Sequence, residues 1–229
     1  MQVAFAAKIN SGCISRQVGA TVTDKDGAIM SVGWNDVPRG QVPCLLRDRA
    51  DLFGDKDRVA FSTYERTDTE FSQHLKKHYL FGNKTALRGR CMQFCFREAY
   101  NKKTGEKNQV HTRSLHAEEN AFLQLAKFGM RIPTGSVLYT SASPCELCAK
   151  KSYQVGVSKI FYIDPYPGIS STHVFGAGTD APTMHLFSGA IGTAYHKLYE
   201  PLMPLKDELN YIMSESDPLP TTDSLPLGD

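Results

Sequence analysis

Four residues in two short stretches have the types and spacing to hold a metal ion and move protons. In "SLHAEENAFLQLAKFG" (residues 114–129), His116 and Glu118 stand two apart where a helix is predicted to begin. Side chains at i and i+2 of a helix point about 200° apart, so the pair cannot share a ligand and must have separate tasks. In "SASPCELCAKK" (residues 141–151), Cys145 and Cys148 stand three apart at a second predicted helix start, just after Pro144. That spacing puts both sulfurs on one face.

A helix N-terminus and a nearby cation both favour thiolate over thiol, and zinc accepts tetrahedral sulfur and imidazole ligation. His116, Cys145 and Cys148 supply three ligands and leave a fourth position for water, the arrangement of a catalytic and not a structural zinc. Glu118 then suits a carboxylate that touches water and substrate without ligating the metal. The blander reading is a structural CxxC with an unrelated surface His-Glu pair.

These residues must be carried by a scaffold, and the pattern predicts one. Residues 1–11 read as a short helix, followed by a hairpin of strands 17–23 and 28–34 around the Lys25-Asp26-Gly27 turn. An irregular insertion, about 36–110, holds predicted helices at 69–80 and 89–100. Alternation resumes with helix 116–128, strand 136–141, helix 145–155, strand 158–163 and helices at 189–199 and 204–213. Strand and helix alternation implies a layered α/β domain over residues 1–213. Residues 214–229, rich in Pro, Ser and acid, read as a flexible tail.

Composition narrows the classes. The 229 residues are 41% hydrophobic, enough for one sizeable core, and the net charge of +2 is too small to announce a nucleic-acid binder. No apolar run approaches the ~18 residues of a membrane span, and the start lacks a secretory pattern, so a cytoplasmic protein is expected. In that compartment six cysteines are metal ligands, buried thiols or catalytic groups before they are disulfides. There is no internal repeat and no phosphate loop of the G-x-x-x-x-G-K-[ST] type.

The combination H-x-E…P-C-x-x-C is the signature of zinc-dependent nucleobase deaminases. With it, "SGCISRQVGATVTDKDGAIMSVGWNDVPRG", "HAEENA" and "SPCELCAK" resemble the deoxycytidylate deaminase branch of the cytidine deaminase superfamily, across most of residues 9–155. "YIDPYPGIS" and "LFSGAIGTAYHKLYEPLMPLKDEL" are similar more specifically to anti-phage dCTP deaminases, which deplete the nucleotide pool during infection. The resemblance implies a three-layer α/β/α fold around a mixed five-stranded sheet, and a homo-oligomer. It also implies a kinase-like domain or partner, whereas this sequence begins at the first deaminase helix.

The resemblance assigns further roles. Asn35 would bond the sugar, the Ala117 backbone N–H would meet the pyrimidine carbonyl, the Ser143 carbonyl would accept from the exocyclic amine, and Tyr166 would line the sugar or base pocket. From the residues alone, Asn35 equally shapes a turn, Tyr166 equally packs, Asn120 braces a loop and Glu119 is solvated. Some relatives bind a second, structural zinc: Cys13 and Cys44 match two of its positions, and Cys91 and Cys95, i,i+4 on a predicted helix, complete a Cys₄ set, with His111 as a substitute. Ordinary buried thiols are the alternative.

Residues 83–107 carry seven Lys or Arg against two Glu. This is either a solvated basic face, a subunit interface or a phosphate reader built on Arg88, Arg90, Lys102 and Lys103. The expected activity is hydrolytic deamination of a free deoxycytidine nucleotide, dCTP or dCMP, with zinc as cofactor. A polynucleotide deaminase needs a basic, aromatic track that the sequence lacks. A non-catalytic zinc module would have no use for Glu118.

Overall fold

The computed structural model describes residues 1–79 and 90–214. Residues 215–229 of the predicted tail, Arg88, and the ends of the two insertion helices at Leu80 and Gly89 lie outside the described residues. The chain falls into two compact units, Met1–Gly189 and Ala190–Asp229.

In the first unit, five strands form one mixed sheet in the order β2-β1-β3-β4-β5. They are β1 (Gly19–Thr23), β2 (Ile29–Trp34), β3 (Val137–Ala142), β4 (Lys159–Asp164) and β5 (Thr183–Leu186). β1 pairs antiparallel with both β2 and β3, while β3, β4 and β5 run parallel. The hairpin closes at Asp24, whose Oδ1 accepts from the Asp26 and Ala28 N–H groups while Gly27 takes φ +91°. That left-handed position suits glycine. β5, the fifth strand that the resemblance implied, was not located by the residue pattern: it is a four-residue parallel edge with only Met184 packed on the core, too short and too exposed to show alternation.

Two glycines show how the layers stack. A Cβ on Gly19 would lie 2.1 Å from the Ala4 carbonyl oxygen of α1 (Gln2–Ala7), and one on Gly33 would lie 2.4 Å from backbone atoms of α6 (Ala117–Lys127). Gly33 is the register partner of Ala20, next to Gly19, and neighbours on a strand face opposite ways. Hence α1 and α6 cover opposite faces of the sheet, giving an α/β/α sandwich. β1, sealed on both sides, is buried along its whole length.

The α6 face holds the main core: Ala20, Val22, Leu138 and Ile160 from the strands meet Ala117, Ala121, Phe122 and Leu125 from α6. Those helix positions recur at 117, 121, 122 and 125, the stripe that a 3.6-residue period buries. α7 (Glu146–Gln154) connects the parallel β3 and β4 and packs beside α6.

The insertion, irregular in sequence, has a second core of its own. α2 (Arg49–Phe53), α3 (Thr63–Thr67), α4 (Thr69–Tyr79) and α5 (Phe96–Thr104) surround Leu52, Phe61, Phe71, Leu75 and Phe94. The expected helix over 89–100 is corrected, because α5 begins only at Phe96. Instead, Arg49 donates from its backbone N–H to the Met92 carbonyl at 3.0 Å, and Gln93 Nε2 donates to Leu45 O at 2.9 Å. These tertiary bonds hold residues 90–95 out of the helix, so Cys91 and Cys95 do not share a helical face. In the second unit lie α8 (Thr193–Tyr199) and α9 (Leu205–Ser214).

Candidate active site

The sheet places two helix starts side by side. α6 begins after His116, whose extended φ/ψ of −75°/156° ends the preceding loop, and the Glu119 carboxylate accepts from the His116 N–H at 3.5 Å. α7 begins after Cys145, at φ/ψ −69°/172°, with the Ala149 N–H bonded to the Cys145 carbonyl at 2.8 Å. Lys151 of α7 donates to Glu119 of α6 and ties the two helices together. Glu119, expected to be solvated, is three-quarters buried by side chain in this pair.

At the junction, His116 Nδ1 lies 3.4 Å from Cys145 Sγ and 3.3 Å from Cys148 Sγ. With ordinary zinc–sulfur and zinc–nitrogen bond lengths, a tetrahedral ion would set such N···S edges at about 3.6 Å. The three ligand atoms lie within 4.8 Å of one another, the one such group among the described residues. The site therefore fits a zinc ion held by Nδ1 and two sulfurs.

Electrostatics agree with a cation there. The Cys145 sulfur is held down to about 4, chiefly by a hydrogen bond from Cys148 and also by His116. The same shared bond, with burial, pushes the Cys148 thiol up. His116 is raised by its bond to Cys145. A bound dication would displace the protons that these groups share.

Glu118, 4% exposed, lines the cleft above this cluster, and burial pushes its carboxyl above the usual carboxylate range. A buried acid that holds its proton more tightly than an exposed carboxyl suits a proton shuttle.

Asn35, Ala117, Ser143 and Tyr166 all line the same cleft. Asn35 also shapes the loop before β1: Oδ1 accepts from Val18 N–H at 2.6 Å and Nδ2 donates to Arg16 O at 2.8 Å. Ser143 Oγ accepts from the Tyr166 N–H at 2.6 Å, and Gln109 Nε2 donates to Tyr166 Oη. Asn120 bonds Trp34 O at 2.9 Å and braces the end of β2. Sequence reading did not single out Arg16, Arg97, Gln109 or Thr112, which also face the cleft. Only the excess of cations in residues 83–107 hinted at one of them.

The remaining cysteines are not gathered at metal-ligand spacing. Burial pushes the Cys95 thiol up, with Cys44 and Cys13 adding to the shift, so these three sit near one another, whereas Cys91 is exposed. Arg113 Nη1 lies 3.4 Å from Cys44 Sγ. His111 lies against Tyr100, with ring centroids 4.3 Å apart and planes tilted by 47°, and points Nε2 at Glu106. Arg90, Lys102 and Lys103 do not line the cleft; Lys102 pairs with Glu98, and Lys103 with Asp68 and Glu70.

Among known proteins, the family described as "Cytidine and deoxycytidylate deaminase zinc-binding region" matches residues 1–164. Deoxycytidylate deaminase of Enterobacteria phage T4 is 29% identical over 171 residues, covering 72% of this chain and 76% of the relative. That of phage T2 is 28% identical over 170 residues, covering 72% and 78%. Among solved structures, dCMP deaminase from cyanophage S-TIM5, in complex with dCMP and dUMP, matches with TM-score 0.46 and 23% identity over 80% of this chain and 90% of that one.

Proposed function

Because the chain belongs to the cytidine and deoxycytidylate deaminase family, we propose that it hydrolyses the C4 amine of a free deoxycytidine nucleotide, giving the deoxyuridine nucleotide and ammonia. The observation that carries this reading is the burial of Glu118 in the cleft directly beside the His116, Cys145 and Cys148 cluster.

His116, Cys145 and Cys148 would hold zinc, which supplies Lewis acidity that brings a water molecule toward ionisation at neutral pH. The chain's own residues do the rest. The two protons of the attacking water end on different products: one at N3 of the pyrimidine, the other on the departing ammonia. Glu118 accepts a proton from the water as oxygen bonds to C4, delivers it to N3, then carries the second to the amine as the C4–N bond breaks. Ala117 and Ser143 offer backbone groups to the pyrimidine edge, and Tyr166 and Asn35 close the sugar side.

The finer reading favours dCTP over dCMP, supported by the resemblance of residues 161–209 to dCTP deaminases that act in anti-phage nucleotide depletion. Homo-oligomeric assembly, a cytoplasmic setting and a kinase-like domain or partner belong to the same reading; among the described residues no helix is long and apolar enough to cross a membrane. A second, structural zinc on Cys13, Cys44, Cys91 and Cys95, with His111 as a substitute ligand, is supported by the family resemblance alone. Elemental analysis should then give two zinc ions per chain and one in Cys44→Ser. A count of one in the unaltered protein removes the second site.

The deciding experiment measures ammonia release from dCMP, dCTP, CMP, CTP, deoxycytidine and single-stranded DNA under identical conditions. The deoxynucleotides should lead, dCTP first. Deamination of single-stranded DNA with free nucleotides ignored would instead establish a polynucleotide deaminase.

A further inference from the structure

The cleft carries two guanidinium groups that the chemistry at C4 does not use. Arg16, in the loop ahead of β1, and Arg97, in the first turn of α5, both line it. Apart from Glu118 and the metal-ligand cluster, they are its charged side chains among the described residues.

A run of contacts fixes both. Arg97 Nη1 donates to Gln109 Oε1, and Gln109 Nε2 donates to Tyr166 Oη. The Arg16 guanidinium lies 5.9 Å from the Tyr166 ring centroid, and its Nη2 donates to Asp164 Oδ2 at 3.3 Å. Asn35 Nδ2 secures the Arg16 carbonyl.

A guanidinium has five N–H donors, and these contacts occupy one on each arginine. Asp164, whose side chain is 64% exposed, screens Arg16 only in part. Two half-buried forks with most donors open call for an anion with several acceptor oxygens, and phosphate matches that geometry bidentately.

We propose that Arg16 and Arg97 clamp the phosphate chain of the nucleotide substrate, with Gln109 and Tyr166 as the struts that set their spacing. The proposal rests on the nucleotide deaminase reading and deepens it. The two forks are joined through Tyr166 and Gln109, not to each other, and together they offer donors enough for more than one phosphate. Lys102 and Lys103 take no part, since they face acids outside the cleft.

The test compares kcat and KM of the zinc-loaded protein with dCTP, dCMP and deoxycytidine, for the unaltered chain, Arg16→Gln, Arg97→Gln and the double variant. Hydrogen bonds to charged groups are worth enough that each substitution should raise KM for dCTP about 10- to 100-fold. The loss on dCTP should exceed that on dCMP, and both should exceed the loss on deoxycytidine by at least about tenfold. Gln109→Leu, which keeps both charges, should raise KM for dCTP less than either arginine variant. Equal losses on dCTP and deoxycytidine would overturn the clamp, because a merely structural role predicts them.

Titration with inorganic tripolyphosphate reads the clamp without turnover. Binding should weaken at least about tenfold in the double variant. If the unaltered protein deaminates no cytidine nucleotide yet loses tripolyphosphate on substitution, the functional reading fails and the clamp stands. If tripolyphosphate binds both proteins equally, the clamp fails whatever the substrate.

Discussion

Arg47 and Glu65 form a fully buried ion pair inside the insertion, with side chains 0% and 1% exposed. The Arg47 guanidinium also lies over Phe61 at 4.4 Å and Phe94 at 5.3 Å. Glu65 has a second duty: its Oε2 accepts from the Ser62 N–H at 2.9 Å, and its own N–H donates to Ser62 Oγ, closing the cap of α3. One carboxylate thus joins a helix start to the centre of the second core, from which Cys95 and Arg97 reach the cleft.

Removing one partner of such a pair strands a charge. Glu65→Ala should destabilise the protein by about 3–5 kcal/mol, and Arg47→Met by a similar amount, because each leaves the other partner's charge buried and unpaired. Denaturant midpoints of the two variants check this. A loss under about 1 kcal/mol for Glu65→Ala, the range of an exposed pair, would mean the pair contributes as a surface contact does.

Glu118 predicts a separation of metal from turnover. Glu118→Gln should retain zinc and lose about 10²–10⁴-fold in kcat, the span of general acid–base catalysis. Cys145→Ser and His116→Ala should lose zinc and activity together. Metal content and turnover measured on the same preparations decide it, and near-native turnover in Glu118→Gln would remove the proton shuttle.

The His116, Cys145 and Cys148 cluster was legible in the sequence because it is local: two helix starts, each with its residues two or three apart, encode their own geometry. The hairpin, β3, β4 and the helices between them were legible for the same reason, since alternation writes strand and helix directly. What could not be read depended on distant partners. The loop at 90–95 has helix-compatible residues, and only its bonds to Leu45, Asp48 and Arg49 keep it extended. Glu119 looked solvated because Lys151, its partner, lies on another helix. The cleft's arginines stand at positions 16 and 97, and no spacing rule joins a residue of one loop to a residue of a distant helix around one pocket.

Gly33 should prove intolerant of any side chain. A Cβ there would sit 2.4 Å from both the Ala117 carbonyl oxygen and the Ala121 nitrogen, backbone atoms that move only if α6 moves. Overpacking of this kind costs about 1–3 kcal/mol. For a chain of this size each kcal/mol lowers Tm by about 2–4 °C. Gly33→Ala should therefore lower Tm, and because α6 carries His116 and Glu118 at its start, zinc affinity should fall with it. A Gly33→Ala protein with unchanged Tm and zinc affinity would show that α6 is free to shift away from β2 without disturbing the site.

The Glu119–Lys151 bridge gives the last prediction. His116 comes from the start of α6, and Cys145 and Cys148 from the start of α7, so the metal geometry depends on how the two helices are set against each other. Glu119 touches both, accepting from the His116 N–H and from Lys151. The pair is partly exposed, at 25% and 43% by side chain, so its direct contribution to stability is small, on the order of 0–1 kcal/mol. Its effect on the ligand set should be larger, because groups that orient a metal ligand typically matter 10- to 100-fold in affinity. Glu119→Leu should therefore weaken zinc binding by about 10- to 100-fold with little change in Tm, and Lys151→Met, which leaves the bond to the His116 N–H, should weaken it less. Competition with a chelator of known affinity measures this directly. If Glu119→Leu lowers Tm and leaves zinc affinity intact, the bridge is a structural tie between helices and does not orient the metal site.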